Sequence, residues 1–309
     1  MRYVTINELS QTIKNNLWQL PRDIDLVVGV PRSGMLAAEM ISLYLNVRLS
    51  DVDSFANGRI YSVGETRSDS IQMGHINHVL VVDDSINSGM SMSHVREKLQ
   101  PLQSEYRWTY MAVVASSEGV HYVDISMLII DDERIFEWNL FHHGYISRAF
   151  LDMDGILCED PTEDDDGERY NLFLETAKPR FIPTVEIDTI ITCRLEKYRQ
   201  QTELWLSKHN VRYRHLIMLD MPTRDARRKW GKHGEWKGLH YRRSGCILFI
   251  ESSSSQARQI ASSSGKPVID FESDTLLVYP KMPLRRRIKR KISRLSPTLF
   301  SIIFHAKER

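Results

Sequence analysis

The sequence predicts an α/β protein with two successive parallel sheets and a basic amphipathic tail, and three observations point there. Short β-rich apolar runs alternate with helical patterns from end to end, at 25–30, 78–83, 110–115, 125–130, 149–152, 188–192, 215–219, 246–250 and 267–270. Strands that alternate with helices in this way build parallel sheets. Two of the runs deliver aspartates, Asp83 with Asp84 and Asp152 with Asp154, into loops that lead on to helices. Ligands in such sheets bind beyond the carboxyl ends of the strands, so each half has its own candidate site. Finally, the mixed charge of the first 280 residues gives way at Lys281 to dense positive charge.

Bulk properties agree. A chain of 309 residues with a formal net charge of +1 is long enough for two compact domains. The N-terminal stretch lacks an apolar core of signal-peptide length, and no run of about 18 apolar residues occurs. Cys158, Cys193 and Cys246 lie far apart without metal-ligand spacing, which reads as reduced thiols in a cytoplasmic protein. The polar, Gly-containing stretch at 142–148 marks the junction, giving domains at 1–145 and 146–280 and a tail at 281–309.

In the first domain, "HVLVVDDSINSGMSM" (78–92) sets a buried strand before two carboxylates and a run of small residues. Asp83 and Asp84 can accept hydrogen bonds from vicinal hydroxyls, while Ser88, Gly89 and nearby backbone N–H groups face a phosphate at a helix start. A sugar phosphate is the ligand suggested; a plain helix cap is the alternative. The whole string resembles the 5-phosphoribosyl-1-pyrophosphate (PRPP) motif of type I phosphoribosyltransferases, D-D-x-x-x-[ST]-G-x-[ST], with Ser88 and Ser91 at the usual threonine positions. "DLVVGVPRSGMLAA" (25–38) resembles the pyrophosphate loop of the same family. The resemblance implies that Asp83 and Asp84 bind the ribose hydroxyls. It assigns the 5-phosphate to the turn holding Ser85, Asn87, Ser88, Gly89 and Ser91, and the pyrophosphate to Arg32, Ser33 and Gly34. Mg2+ would arrive bound to PRPP, the donor. "SFANGRIYSVGETRSDS" (54–70) resembles in position the loop that shields such reactions; Arg59, Tyr61 and Arg67 belong to the pyrophosphate site or to a solvated loop. No nucleobase signature is evident, and Trp138 either stacks on an acceptor ring or packs in the core.

The second domain opens with "RAFLDMDGILCEDP" (148–161), whose Asp152 and Asp154 share one side of an extended backbone. A carboxylate nucleophile and a second carboxyl acting as acid and base form the minimal machinery for phosphoryl transfer through an aspartyl phosphate. With Gly155 and the preceding strand, this resembles motif I of the haloacid dehalogenase (HAD) superfamily, mostly phosphatases. By that resemblance Thr192 in "DTIITCR" binds the phosphoryl group. Lys237 in "GEWKGLHY" supplies the stabilising cation, with Lys232 as runner-up. Glu251 in "CILFIESSSSQARQ" joins Asp152, Asp154 and the Met153 carbonyl around Mg2+. Ser252 to Ser255 stand where further acids are usual. The insertion at 159–181 makes only a small cap, with Glu163 to Asp166 read as a solvated charge run. His209, His215, His233 and His240 show no ligand spacing.

The resemblances together imply two Rossmann-like domains, a phosphoribosyltransferase fold and a HAD fold, on one chain. Transfer from PRPP leaves a 5-phosphate on the new ribosyl group, and a phosphomonoesterase on the same chain would remove it. The combination resembles bacterial PRPP-dependent ribofuranosylation systems for cell-surface polysaccharides, which implies a lipid-linked glycan acceptor. The tail holds ten Lys and Arg, with Leu284, Ile288, Ile292 and Leu295 spaced along one helical face. It predicts peripheral binding to the anionic inner face of the membrane, worth about 1 kcal/mol per well-placed charge, with a helix docked on the protein or a nucleic-acid-binding tail as the alternatives. No nucleic-acid partner is expected, and a homo-oligomer is compatible. The alternatives are a nucleobase phosphoribosyltransferase coupled to nucleotide dephosphorylation, and a PRPP-binding regulator without turnover.

Overall fold

Every apolar run named above is a strand in the computed structural model, which describes residues 1–61, 75–161 and 166–279. Its backbone divides into two units, Met1–Leu140 and the part from Phe141 onward.

The first unit is built on a five-stranded, wholly parallel sheet, order β3-β2-β4-β5-β6. Its strands are β2 (Leu26–Gly29), β3 (Arg48–Asp51), β4 (His78–Ile86), β5 (Arg107–Ala115) and β6 (Ile125–Ile129). β1 (Arg2–Val4) and β7 (Arg134–Phe136) form a separate parallel pair. Helices α1 (Ile6–Asn16), α2 (Gly34–Leu45), α3 (Val52–Ala56) and α4 (Met90–Leu99) complete the unit. Thr5 starts α1 by accepting the Glu8 N–H at 3.0 Å, and Leu9 and Ile13, four apart, turn one face inward.

Both faces of this sheet are covered. Val27, Leu80 and Val82 pack with Leu9, Ile13 and Ile41 on one side, while Leu26, Val28, Val79 and Val81 pack with Met92, Val95 and Phe55 on the other. A strand buried on both faces cannot alternate polar with apolar, which is why "VLVV" is continuous. Trp138 stacks on Phe136 at 4.7 Å and packs against the first of these cores.

The second unit holds a six-stranded sheet, order β10-β9-β8-β11-β12-β13. The strands are β8 (Ala149–Leu151), β9 (Ile187–Leu195), β10 (Tyr213–Leu219), β11 (Leu248–Glu251), β12 (Val268–Asp270) and β13 (Thr275–Leu277). Only the β12–β13 pairing is antiparallel. The helices are α5 (Glu168–Thr176), α6 (Arg199–Lys208), α7 (Arg224–Trp230), α8 (His233–Arg243) and α9 (Ser254–Ser264).

Of the small cap, the described part contributes one helix, α5, whose Tyr170 and Leu174 pack with Leu195, Tyr198 and Met218. Asp166 is not a freely solvated charge: Lys197 Nζ reaches it at 2.7 Å, the Tyr198 hydroxyl donates to it, and these bonds lower its pKa to about 2. Glu163 to Asp165, Arg67 and the basic tail lie outside the described residues. Among the described residues no helix is long and apolar enough to cross a membrane.

Candidate functional sites

In the first unit the sheet itself presents the two aspartates. The β2–β4 ladder ends at the Gly29–Val82 pair, whereas β4 stays paired with β5 through Ile86. Asp83 to Ile86 are thereby held on one side and released on the other. The loop after β2 enters the vacated side: Ser33 Oγ donates to Asp84 Oδ1 at 2.8 Å, and Asp83 Oδ1 accepts the Asp84 N–H at 2.9 Å. Gly34, at the start of α2, comes so close that a Cβ there would lie 2.9 Å from both Asp83 Oδ1 and the Val82 carbonyl. Both carboxylates are buried, and burial first, then the Asp84 charge, pushes Asp83 up to about 8.

The turn that follows is buttressed from below. Ser116 Oγ donates to the Asn87 carbonyl at 3.2 Å and accepts the Gly119 N–H at 2.9 Å, and Arg134 Nη1 donates to the Ile86 carbonyl at 3.1 Å. Asn87, Ser88 and Ser91 are exposed, Ser85 is half-buried, and Gly89 caps α4 with φ 72°. Arg32 is exposed at the tip of the neighbouring loop, so loop and turn border the same carboxylate pair. Tyr61 donates its hydroxyl to Asp51 Oδ2 at 2.5 Å and Arg59 gives its carbonyl to Ser50 Oγ at 2.8 Å. Both are thus tied to β3 or its end.

The second unit converges on a cavity of about 610 Å3. Asp152, Asp154, Thr192 and Lys237 are brought together along its wall. Lys237, buried on α8, sets Nζ 2.8 Å from Asp152 Oδ2 and 2.8 Å from Glu251 Oε2. Burial alone would depress its pKa, but these two carboxylates raise it and hold the ammonium charged. Burial and the Asp152 charge push Glu251 up in turn. Lys232 instead lies exposed ahead of α8.

Asp154 has a partner the sequence reading missed. Arg194 at the end of β9 is 1% exposed and donates from Nη2 to Oδ1 at 2.5 Å and from Nε to Oδ1 at 3.1 Å and Oδ2 at 3.2 Å. Its signal was a cation near the C-terminal end of β9, two places after Thr192. Gly155 is required by its φ of 79° and by Ser252, whose Cβ would lie 2.5 Å from a Cβ there.

The expected metal trio of Asp152, Asp154 and Glu251 is not assembled. Arg194 takes the Asp154 carboxylate and Lys237 stands between the other two. The Met153 carbonyl accepts N–H groups from Ile156, Leu157 and Cys158, which spends it within the turn. Among the described residues no three His, Cys, Asp or Glu side chains are grouped to hold a metal ion.

The cavity rim adds Asp160, Arg180, Gln256, Phe271 and Glu272. Burial, then the charges of Asp154 and Asp152, raises the pKa of Asp160. Cys193 also lines the cavity, but burial pushes its thiol up to about 12, so it offers no thiolate nucleophile. Among the described residues no histidine borders this cavity.

Comparisons with known proteins bear on the first unit. Residues 2–145 match the family model described as phosphoribosyl transferase domain. No curated protein matches the chain. Among solved structures, the chain is similar to the xanthine-guanine-hypoxanthine phosphoribosyltransferase of Helicobacter pylori, at 18% identity and TM-score 0.34, covering 45% of this chain and 92% of that one. A purine phosphoribosyltransferase from Pyrococcus horikoshii Ot3 matches at 19% identity and TM-score 0.34, over 44% of this chain and 92% of that one. The orotate phosphoribosyltransferase of Aeropyrum pernix matches at 21% identity and TM-score 0.30, over 40% and 70%. By the family match, residues 2–145 are a phosphoribosyltransferase domain, a class that uses PRPP.

Proposed function

We propose that this chain transfers ribose 5-phosphate from PRPP to a glycan acceptor and then removes the 5-phosphate, leaving a ribofuranosyl group. One observation carries the reading: a phosphoribosyltransferase domain shares its chain with a second cavity in which Asp152, Thr192 and Lys237 converge.

At the first site, Asp83 and Asp84 accept hydrogen bonds from the ribose 2- and 3-hydroxyls. The turn at 85–91 receives the 5-phosphate on its backbone N–H groups, and Arg32 with the Ser33–Gly34 backbone receives the pyrophosphate. PRPP enters as its magnesium complex. The acceptor hydroxyl then attacks C1 as the bond to pyrophosphate breaks, its proton passes to the released pyrophosphate, and inversion of α-PRPP gives a β-ribofuranoside.

At the second site, Asp152 attacks phosphorus and the bond to the 5-oxygen breaks. Thr192 and Lys237 hold the phosphoryl oxygens. Asp154, held as a carboxylate by Arg194, takes a proton from the water that hydrolyses phospho-Asp152, and solvent water protonates the departing oxygen. The carboxylate geometry supports no step through a bound metal at this site, and none is invoked.

The basic sequence of 281–309 supports an acceptor presented at an anionic membrane. Deleting those residues should abolish co-sedimentation with anionic vesicles, and equal binding by the truncation would remove the membrane from the reading.

The deciding experiment is mass spectrometry of PRPP, Mg2+ and a panel of lipid-linked and synthetic oligosaccharides, with the wild type and Asp152→Asn. A pentose added by the wild type and a phosphopentose added by the variant are the expected results. Conversion of a nucleobase instead would transfer the reading to salvage. PRPP binding with no acceptor consumed would favour a regulator.

A further inference from the structure

The proposed order of reactions contains a hazard, because PRPP, like the transferase product, is a ribofuranose 5-phosphate. A phosphatase site on the same chain that accepted every such ester would destroy the donor. The two compounds differ at C1, where PRPP carries pyrophosphate and the product carries a glycan oxygen with no phosphate attached.

Resting on the phosphatase reading above, we infer that the carboxylate-bearing rim of the second cavity, Asp160 and Glu272, excludes PRPP and admits ribofuranoside 5-phosphates with an uncharged C1 substituent. Four carboxylates line the cavity, Asp152, Asp154, Asp160 and Glu272, against two lining cations, Lys237 and Arg180, and Arg194 behind the wall pairs with Asp154, which leaves Asp160 and Glu272 as the charges at the rim. Lys237 is committed in depth to Asp152 and Glu251. Arg180 is tied to the nucleophile loop through Nη1, which donates to the Gly155 carbonyl at 2.5 Å. A second anionic group reaching the rim therefore meets an excess of negative charge.

The rim is also built, not merely charged. Glu272 Oε2 accepts the Ser254 N–H at 3.0 Å, which fixes the carboxylate at the start of α9. Phe271 beside it packs edge-on against Phe181 at 5.0 Å and Phe141 at 5.7 Å, and those two rings stack at 4.8 Å. A carboxylate accepts hydrogen bonds and donates none, so Asp160 and Glu272 suit sugar hydroxyls. The Phe271 ring suits the apolar C–H face of a sugar. At about 610 Å3 the cavity exceeds what a phosphoryl group fills and leaves space for an attached sugar.

Electrostatics sets the scale. One like-charge pair about 6 Å apart, at an effective dielectric near about 40, shifts an equilibrium about tenfold. PRPP retains net negative charge even as its magnesium complex, so the wild type should prefer methyl β-ribofuranoside 5-phosphate over PRPP at least about tenfold in kcat/KM for phosphate release.

The full chain should be assayed for 5-phosphate release from both compounds, with Asp160→Asn/Glu272→Gln as the variant. The expected result is a preference in the wild type that shrinks in the variant because PRPP hydrolysis rises. Added salt should shrink the wild-type preference as well, a readout that needs no variant to fold. Equal hydrolysis of the two esters by the wild type, or a preference insensitive to both salt and substitution, would overturn the inference while leaving the phosphatase intact. Release of phosphate from neither ester would overturn the phosphatase reading and this inference with it.

Discussion

Lys237 Nζ lies 2.8 Å from Asp152 Oδ2 and 2.8 Å from Glu251 Oε2, so a single buried ammonium joins two strand-end carboxylates from β8 and β11. Removing one member of such a group strands the others, at a cost of about 3–5 kcal/mol. Lys237→Met should therefore lower the melting temperature as well as cut phosphate release by about 10² or more.

The pH dependence of that loss is diagnostic. Burial and Asp152 already raise the Glu251 pKa, and without Lys237 it rises further. A raised folded pKa contributes stability that is present in acid and lost as pH climbs through it. The wild-type Glu251 carboxyl titrates near about 8, so the melting-temperature gap between wild type and Lys237→Met should stay nearly constant up to that pH and widen above it. Calorimetric scans showing no widening above about pH 8 would mean that the ammonium is not balancing carboxylates.

Asp83 sets the opposite experiment in the first unit. Burial and the neighbouring Asp84 raise it to about 8, so the free protein loses stability progressively as pH rises from the unfolded carboxyl's value, about 4, to about 8. Asp83→Asn keeps the shape and removes the charge. It should raise the melting temperature by several degrees at about pH 8.5, by little near about pH 4, and abolish PRPP binding throughout. Thermal scans with PRPP titrations check both halves; a variant less stable at high pH would contradict the burial penalty.

The elements that carry these groups were legible in the sequence because their constraint is local. A strand buried on both faces must be continuously apolar, and β4, β8 and β11 all read that way before an acid. β3, with the sequence R-L-S-D, and the three-residue strands β1, β7 and β13 are too short or too polar to show a period. Arg194 was missed because its function depends on Asp154, 40 positions away in the chain. Lys237 and Lys232 were both open until α8 buried one and left the other at the surface. The expected metal trio was ambiguous for the same reason: three acids at strand ends look alike in sequence, and only the fold shows that Arg194 meets Asp154 while Lys237 meets Asp152 and Glu251.

Arg194 should behave as a positioning residue. Lysine keeps the charge but not the planar fork that reaches both Asp154 oxygens. In Arg194→Lys, Asp154 would no longer be aimed at the hydrolytic water, and kcat should fall about 10- to 100-fold with little change in KM. Acid quenching should then trap phospho-Asp152 in the variant above its wild-type level. An equal fall in kcat with no trapped phosphoenzyme would assign Arg194 to structure alone.

Gly34 offers the sharpest test of how the two motifs of the first unit cooperate. A methyl group there would lie 2.9 Å from Asp83 Oδ1 and from the Val82 carbonyl, and 3.0 Å from the Asp83 Cα, so two of the three obstacles are backbone. Neither the strand nor the helix start can yield without moving Asp83 away from the position set by β4. Overpacking of this kind costs about 1–3 kcal/mol. The functional loss should be larger than the stability loss, because displacement of the α2 start also perturbs the Ser33–Asp84 hydrogen bond of 2.8 Å. Gly34→Ala should keep its fold by circular dichroism yet weaken PRPP binding about 100-fold or more, and Ser33→Ala about 5- to 10-fold. Calorimetric titration decides it: PRPP affinity unchanged in Gly34→Ala would mean that the loop after β2 and the Asp83–Asp84 pair do not serve one ligand.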